Sequence, residues 1–405
     1  MTASVGEAVP QLVETGHSTG RELLHGADLE YFVNRRRVSA GNRCRLLRDG
    51  DEAFPAMLEA IAGAQRQVLL ETYIIHGDRS SLAFCAALAE RARAGVAVYF
   101  MFDSVGSFDF PLDVIREMRQ AGVHVLEYAP YAPWRPRWGI NRRNHRKTCV
   151  VDGVTAFTGG INIGDENLPP SLGGGGWHDL HVRIDGPVAA ECAHMFHEVW
   201  RRGGGDAFDL VLSGPSPAGP EGHAHAMVLG NHELRLRKEI RRAYLHAIDR
   251  ARRSIAIMNA YFVPDRGIRR ALARAVVRGV DVRILIPGPA NDLRALYHAT
   301  RAVCDELLAN GVKIFEWPDR MMHAKTAAID GAWVTVGSYN LDHRSLFHNL
   351  EANLICVDRA LAAQVEASFR RDLARCDELE LASWRRRSVL RKVGERFYYL
   401  FRHWL

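Results

Sequence analysis

The 405-residue chain reads as an α/β protein of two similar domains, each a mostly parallel mixed sheet flanked by helices, related by a pseudo-twofold axis. Three observations lead there. A short pattern, His-x-Lys-x-x-x-x-Asp, occurs twice, as His145, Lys147 and Asp152 and again as His323, Lys325 and Asp330. Each copy carries a Gly-[Gly/Ser]-x-Asn tail at the same offset: Gly159, Gly160 and Asn162, then Gly337, Ser338 and Asn340. The stretch ahead of each copy also runs through the same order of helices and apolar strands. The chain has only five lysines, and two of them fill the same slot of the two copies, which chance placement does not readily give.

Residues 1–40 are expected to form an N-terminal extension. In the first domain, 41–202, the spacing predicts a helix over 53–64, a strand over 67–74, a helix over 82–94 and a strand over 96–102. In the second, 231–380, the same order returns as helix 241–251, strand 254–262, helix 268–278 and strand 280–286. Gly95 and Gly279 stand where a helix ends in the left-handed region before a buried-type strand. Strands 147–151 and 325–329 then run into the turns Asp152-Gly153 and Asp330-Gly331, and second strands follow at 155–158 and 333–336. Downstream, the segment Trp177–Ile184 resembles His348–Ile355, and Asp179 in the first is matched with Glu351 in the second. The first copy has six more residues before this carboxylate, and they fall on Gly173–Gly176, read as a flexible loop near the site. Residues 203–230, rich in Gly, Pro and Ser at 203–223, are expected to be the linker. Residues 381–405 are expected to form a basic amphipathic helix.

Composition narrows the function classes. Hydrophobic content of 47% and charged content of 25% are those of a globular protein, and the length is ample for two cores. The longest apolar run is Val96–Phe102, far short of the ~20 residues a spanning helix needs. Residues 1–30 lack the basic-then-apolar layout of a signal peptide. Seven scattered cysteines, never spaced C-x-x-C, read as buried thiols of a reducing compartment. His194, His197 and Glu198 read as helix residues, not metal ligands. The formal charge of +6 favours an anionic partner, lipid surface or nucleic acid, without choosing between them.

The duplicated residues suit displacement at phosphorus. Imidazole is a nucleophile toward a phosphodiester and, when protonated, a general acid. One neutral and one protonated histidine can expel an alcohol through a covalent phosphohistidine, and the second can then deprotonate the acceptor. Lys147 and Lys325 would clamp the non-bridging oxygens, with Asn162, Asn340, Gly160 and Ser338 contributing contacts from the tails. Asp179 and Glu351 would each orient a histidine. Asp152 and Asp330 either join this catalytic set or only shape their Asp-Gly turns. The step calls for no metal and no cofactor.

On these residues the chain resembles the phospholipase D superfamily over about residues 40–380. Within it, Gly159–Gly164, Trp177-His178-Asp179, Asp185-Gly186-Pro187, Tyr261–Pro264 and Asn340–Asp342 with Arg344-Ser345 resemble bacterial cardiolipin synthases lacking N-terminal transmembrane helices. The resemblance implies phosphatidyl transfer, with one of His145 and His323 as nucleophile, preferentially His145, and the other as acid and base. It implies phosphatidylglycerol as acceptor, and phosphatidylglycerol or another phospholipid as donor. Gly160, where serine is common, departs from the pattern and is expected to cost one phosphate contact.

Two segments bear on the substrate. Residues 131–138, with Arg142 and Arg143, interleave Trp and Arg, which suits an interface with anionic headgroups or else a proline-stiffened loop. Residues 384–405 place Val389, Leu390, Val393, Phe397, Leu400, Phe401 and Trp404 on one face among many arginines. That is the pattern of an in-plane membrane anchor, or of a helix packed on the second domain. The leading expectation is a phosphatidyltransferase peripheral to the cytoplasmic face of the cell membrane. Its partners are an anionic phospholipid bilayer with phosphatidylglycerol and in some reactions phosphatidylethanolamine, with no nucleic acid. The oligomeric state is left open. The alternatives are a phospholipase D-type hydrolase sharing the same intermediate, a nuclease whose basic charge tracks phosphates, and a non-catalytic lipid-binding protein.

Overall fold

A computed structural model describes residues 28–130, 142–212, 222–231 and 238–403. The first half runs β1 (Ser39–Arg48), α1 (Asp49–Ala62), β2 (Gln67–Thr72), α2 (Arg79–Arg93), β3 (Ala97–Asp103), α3 (Leu112–Gln120) and β4 (His124–Tyr128). It continues with β5 (Thr148–Val151), β6 (Thr155–Gly159), β7 (Leu180–Asp185) and α4 (Val188–Arg202). The second half repeats this as β8 (Ala224–Gly230), α5 (Glu239–Arg250), β9 (Ser254–Asn259), α6 (Arg266–Val277), β10 (Asp281–Pro287), α7 (Arg294–Ala309) and β11 (Lys313–Trp317). Then follow β12 (Lys325–Ile329), β13 (Trp333–Gly337), the short α8 (His343–Phe347), β14 (Ala352–Val357) and α9 (Arg359–Leu373). A two-residue strand β15 (Asp377–Glu378) precedes α10 (Leu381–Arg385) and α11 (Val389–Leu400).

All strands join one sheet in the order β15-β11-β10-β9-β12-β13-β14-β8-β1-β7-β6-β5-β2-β3-β4. Leaving out β15, the order is a palindrome centred on the antiparallel β8–β1 pair, as a pseudo-twofold repeat requires. The mixed α/β class holds, but the expected predominance of parallel pairing does not. Parallel ladders are confined to β2-β3-β4 and β9-β10-β11, whose connections are helical; the other ladders are antiparallel, and β5-β6 and β12-β13 are tight hairpins. Gly95 and Gly279 take φ of 89° and 87° at the ends of α2 and α6, where a side chain would be strained.

Two expected boundaries are revised by the sheet. β8 falls inside the span expected to be linker, yet it bonds to β14 on one side and β1 on the other. Within the expected N-terminal extension, Asp28–Tyr31 forms a 3-10 turn, and Tyr31 and Phe32 enter the core of the second half. A further apolar cluster lies between the halves, joining Val182, Ile184 and Phe196 to Val228, Val336 and Leu354. Each such buried side chain is worth roughly 1.5–3 kcal/mol, so the halves are welded by their core and not merely tethered.

The two Asp-Gly turns show what their aspartates hold. Asp152 and Asp330 have φ of 52° and 56°, followed by Gly153 and Gly331 at 70° and 66°, the left-handed pair that a two-residue hairpin turn needs. The Asp152 carboxylate accepts the backbone N–H groups of Gln65, Arg66 and Gln67, at 2.8–2.9 Å. Asp330 accepts those of Arg252, Arg253 and Ser254, and the Tyr31 hydroxyl at 2.5 Å. Both therefore tie the hairpin to the start of a parallel strand, at the opposite end of β5 and β12 from the histidines, which favours the turn-shaping reading over the catalytic one. Asp152→Asn or Asp330→Asn should lower unfolding free energy by about 1–3 kcal/mol, because three backbone amide donors lose a charged acceptor. Thermal unfolding should show that loss, while turnover per folded molecule stays within about twofold; a far larger fall in turnover would restore them to the chemistry.

Candidate active site

Each half carries its histidine on the segment entering the central hairpin, next to the C-terminal end of its first parallel strand. His145 and Lys147 precede β5, which pairs with β2; Lys325 opens β12, which pairs with β9. Each histidine segment is stitched to the carboxylate segment of the other half. The His145 N–H donates to Leu350 O at 3.0 Å and the Leu350 N–H to Arg143 O at 2.9 Å. In the mirror arrangement, the His178 N–H donates to Met321 O at 2.8 Å and the His323 N–H to His178 O at 2.7 Å. These short parallel bridges bring residues from opposite ends of the chain to one place.

The side chains then cross. His145 Nδ1 lies 3.0 Å from Glu351 Oε2, and His323 Nδ1 lies 2.8 Å from Asp179 Oδ2. With Nδ1 donating to a carboxylate, each imidazole presents Nε2 as its unprotonated, nucleophilic nitrogen. The Lys147 ammonium donates to His145 O at 2.6 Å, and Lys325 likewise to His323 O. An ammonium has three donors and the carbonyl takes one, so two are left for phosphate oxygens. All of these side chains are buried.

The carboxylates differ in their support. Glu351 also accepts the hydroxyls of Ser338 at 2.5 Å and Ser345 at 2.7 Å. Asp179 accepts the Leu180 N–H at 2.7 Å. Ser338, expected to touch substrate, thus serves the carboxylate instead. Gly160 occupies the matching place, and a Cβ there would lie 2.2 Å from Asp179 Oδ1. Its lack of a side chain makes room for the shorter carboxylate, which replaces the expected loss of a phosphate contact as the reason for glycine.

Of the two asparagines, Asn162 accepts the Ile74 N–H through Oδ1 at 3.3 Å, and the buried Oδ1 of Asn340 has no protein partner. Gly173–Gly176 form a backbone-bonded turn rather than a loose loop: the N–H groups of Gly174, Gly175 and Gly176 donate to the carbonyls of Pro169, Asp165 and Leu168. Residues 131–141 of the Trp/Arg segment lie outside the described residues. Arg143 is buried, donating to Ser104 Oγ and Ala129 O, and so is a structural arginine, not an interfacial one.

Several neighbours were given no role at the site from sequence. The Tyr73 ring meets His145 edge-on at 4.9 Å with Lys147 5.1 Å from its centroid; Tyr261 stands 6.0 Å from His323 with Lys325 at 5.9 Å. The Trp177 ring lies 5.4 Å from His323. Both tyrosines follow the C-terminal edge of a first parallel strand, where sites of open α/β sheets gather, and that position was the available signal. The Tyr261 hydroxyl donates to Asp292, at 2.7 and 2.9 Å to its two oxygens. Behind Asp179, His178 bridges Asp49 and Asp372 at 2.7 and 3.0 Å; burial opposes its charge, but these two carboxylates raise its pKa to about 9.

Burial pushes His145 down to about 4 against the pull of Glu351, and lowers His323 as well. Burial also brings Lys147 to about 7 and Lys325 to about 8. Burial works against ionisation of Asp179 and Glu351, yet Lys325 and His323 hold the first below its usual range, and His145 and Lys147 the second. Neutral imidazoles therefore stand beside ionised carboxylates, and an anionic phosphodiester placed between them would raise the proton affinity of one. The imidazoles stay unprotonated down to acid pH, whereas the lysine charge is lost as pH rises through 7–8. A kcat/KM profile should fall on its basic side near pH 8, well below an ordinary lysine, and on its acid side below 6.5. A basic limb near pH 10 would contradict this.

A family model described as "Cardiolipin synthase, PLD-like domain" matches residues 57–200 and again 244–373. The chain is 35% identical over 357 residues to cardiolipin synthase A of Pseudomonas fluorescens (strain SBW25), covering 88% of this chain and 74% of that one. It is 37% identical over 340 residues to cardiolipin synthase A of Pseudomonas putida (strain W619), covering 84% and 70%. In fold it is similar to the crystal structure of phosphatidylserine synthase from Haemophilus influenzae Rd KW20, with a TM-score of 0.68 over 91% of this chain and 95% of that one. At 13% identity that likeness concerns the fold alone.

Proposed function

Because the chain belongs to the family of cardiolipin synthases with phospholipase D-like domains, we propose that it is a phosphatidyltransferase forming cardiolipin from phosphatidylglycerol and a second phospholipid. The crossed histidine–carboxylate pairs, closed over two lysines from the two halves, are the observation that carries this reading. Nε2 of one histidine attacks the donor phosphorus. The P–O bond to the headgroup breaks, and the other histidine gives the departing alkoxide its proton; with phosphatidylglycerol as donor, glycerol leaves. That second histidine then takes the proton from a hydroxyl of an acceptor phosphatidylglycerol. Its oxygen displaces the phosphohistidine, freeing cardiolipin and the nucleophile. Lys147 and Lys325 neutralise the equatorial oxygens in both steps, the donor amide of Asn162 and that of Asn340 adding hydrogen bonds.

The burial of the site favours transfer over hydrolysis, since water is kept from the intermediate while the acceptor arrives with its own binding surface. No helix of the described residues is long and apolar enough to cross a membrane. We place the protein peripherally at a phospholipid surface, on the cytoplasmic face.

The test is purified protein incubated with labelled phosphatidylglycerol, followed by lipid mass analysis with and without phosphatidylethanolamine. Cardiolipin with stoichiometric glycerol is the expected product. Phosphatidic acid without cardiolipin would mean a hydrolase, and DNA cleavage without lipid turnover a nuclease.

A further inference from the structure

The helix α11 is docked the opposite way from an ordinary amphipathic helix. Its inward stripe is polar. Glu395, 4% exposed, accepts Arg387 at 2.5 and 3.0 Å and faces Arg301 at 3.4 Å. Those guanidiniums lie over the Trp384 ring, at 3.4 Å for Arg387 and 4.5 Å for Arg301, and Arg301 belongs to α7. Lys392 donates to Arg385 O at 2.5 Å, the Tyr398 ring stacks on His298 at 5.0 Å, and Arg269 donates to the Tyr399 hydroxyl at 3.3 Å. The opposite stripe is apolar and uncovered: Leu390 is 85% exposed, Val393 59% and Phe397 55%, with Val389, Leu400 and Phe401 beside them. Taking 100° per residue, these six lie within about 60° either side of the direction opposite Glu395.

We propose that α11 is a lipid-docking helix, clamped to α7 through Glu395 so that its outward apolar face enters an anionic bilayer and holds the active-site rim against it. The inference rests on the reading of a phospholipid substrate. Two observations select a bilayer over another protein. Arg385 and Arg386 at the end of α10, and Arg391 and Arg396 on α11, are exposed, the charge an anionic headgroup layer attracts. The helix is also continuous with the site. Tyr399 packs on the cluster of Tyr261, Leu296 and Met321, and Tyr261 faces His323. At its end, His403 meets His343 at 4.2 Å, next to Asp342. Leu293, 48% exposed, follows the Asp292 that holds Tyr261, so apolar surface extends from the helix toward the mouth.

The test is the full-length triple variant Leu390→Glu, Val393→Glu and Phe397→Glu, whose replaced side chains point away from the protein. Partition is measured on phosphatidylglycerol/phosphatidylcholine vesicles, and turnover of phosphatidylglycerol both in vesicles and in detergent mixed micelles. Vesicle partition and vesicle turnover should each fall at least roughly tenfold, with micellar turnover within about twofold of the parent. Unchanged vesicle partition overturns the inference. If the parent sediments as a dimer that the variant abolishes, with partition unchanged, the face is a self-association surface instead. Should the parent turn over no lipid in micelles or vesicles while the variant still loses partition, the proposed function fails and the docking helix stands.

Discussion

Replacing His145 or His323 by alanine should each lower cardiolipin formation by roughly 10³–10⁵-fold, and the double replacement should be little worse than either alone. Non-additivity is the informative part. If the histidines acted at separate phosphates, each half would retain its own turnover and the losses would combine. One nucleophile and one acid at one phosphorus fail together, because the headgroup cannot leave without both. Both variants should fold normally, since neither imidazole contributes to an apolar core cluster. Thermal unfolding alongside steady-state rates would check this, and a single variant retaining more than about a tenth of parental turnover would contradict it.

The second large effect concerns the crossed carboxylates. Glu351→Gln should lower turnover by roughly 10²–10⁴-fold by acting on His145, in the other half of the chain, and Asp179→Asn should do the same through His323. An amide in place of Glu351 offers N–H or C=O toward Nδ1, and it no longer fixes the tautomer that bares Nε2. It also loses the charge that stabilises an imidazolium. The readout specific to this role is the proton affinity of the distant histidine. Glu351 raises that of His145 against burial, so Glu351→Gln should push His145 still lower, as seen by NMR titration of labelled imidazole. An unmoved His145 would assign Glu351 to structure alone.

The repeated helix–strand order, the Asp-Gly hairpins and the glycines at 95 and 279 were legible because they are local: each follows from periodicity or a left-handed turn. The strands β1 and β8 were not. Ser39–Arg48 and Ala224–Gly230 contain few β-branched residues, and they earn their central place by pairing with each other and with β7 and β14. That the sheet is largely antiparallel also depends on long-range pairing. At the site, the histidines, lysines and two carboxylates could be named, but not who orients whom. The partners of His145–Glu351 and His323–Asp179 stand 206 and 144 residues apart. Ser338 and Gly160 were read as substrate contacts because the motif gives their position but not the carboxylate behind it. Helix α11 shows the limit of an apolar stripe: the stripe was visible, and its direction was set by Glu395, Arg301 and Arg387.

The proposed transfer makes two displacements at one phosphorus through a phosphohistidine. The most direct measurement uses a phosphatidylglycerol donor made chiral at phosphorus with sulfur and isotopic oxygen, and reads the configuration of the cardiolipin product. Retention is expected, because each of two in-line attacks inverts the centre. Inversion would mean that the acceptor attacks the donor directly, and neither histidine would then be a covalent nucleophile.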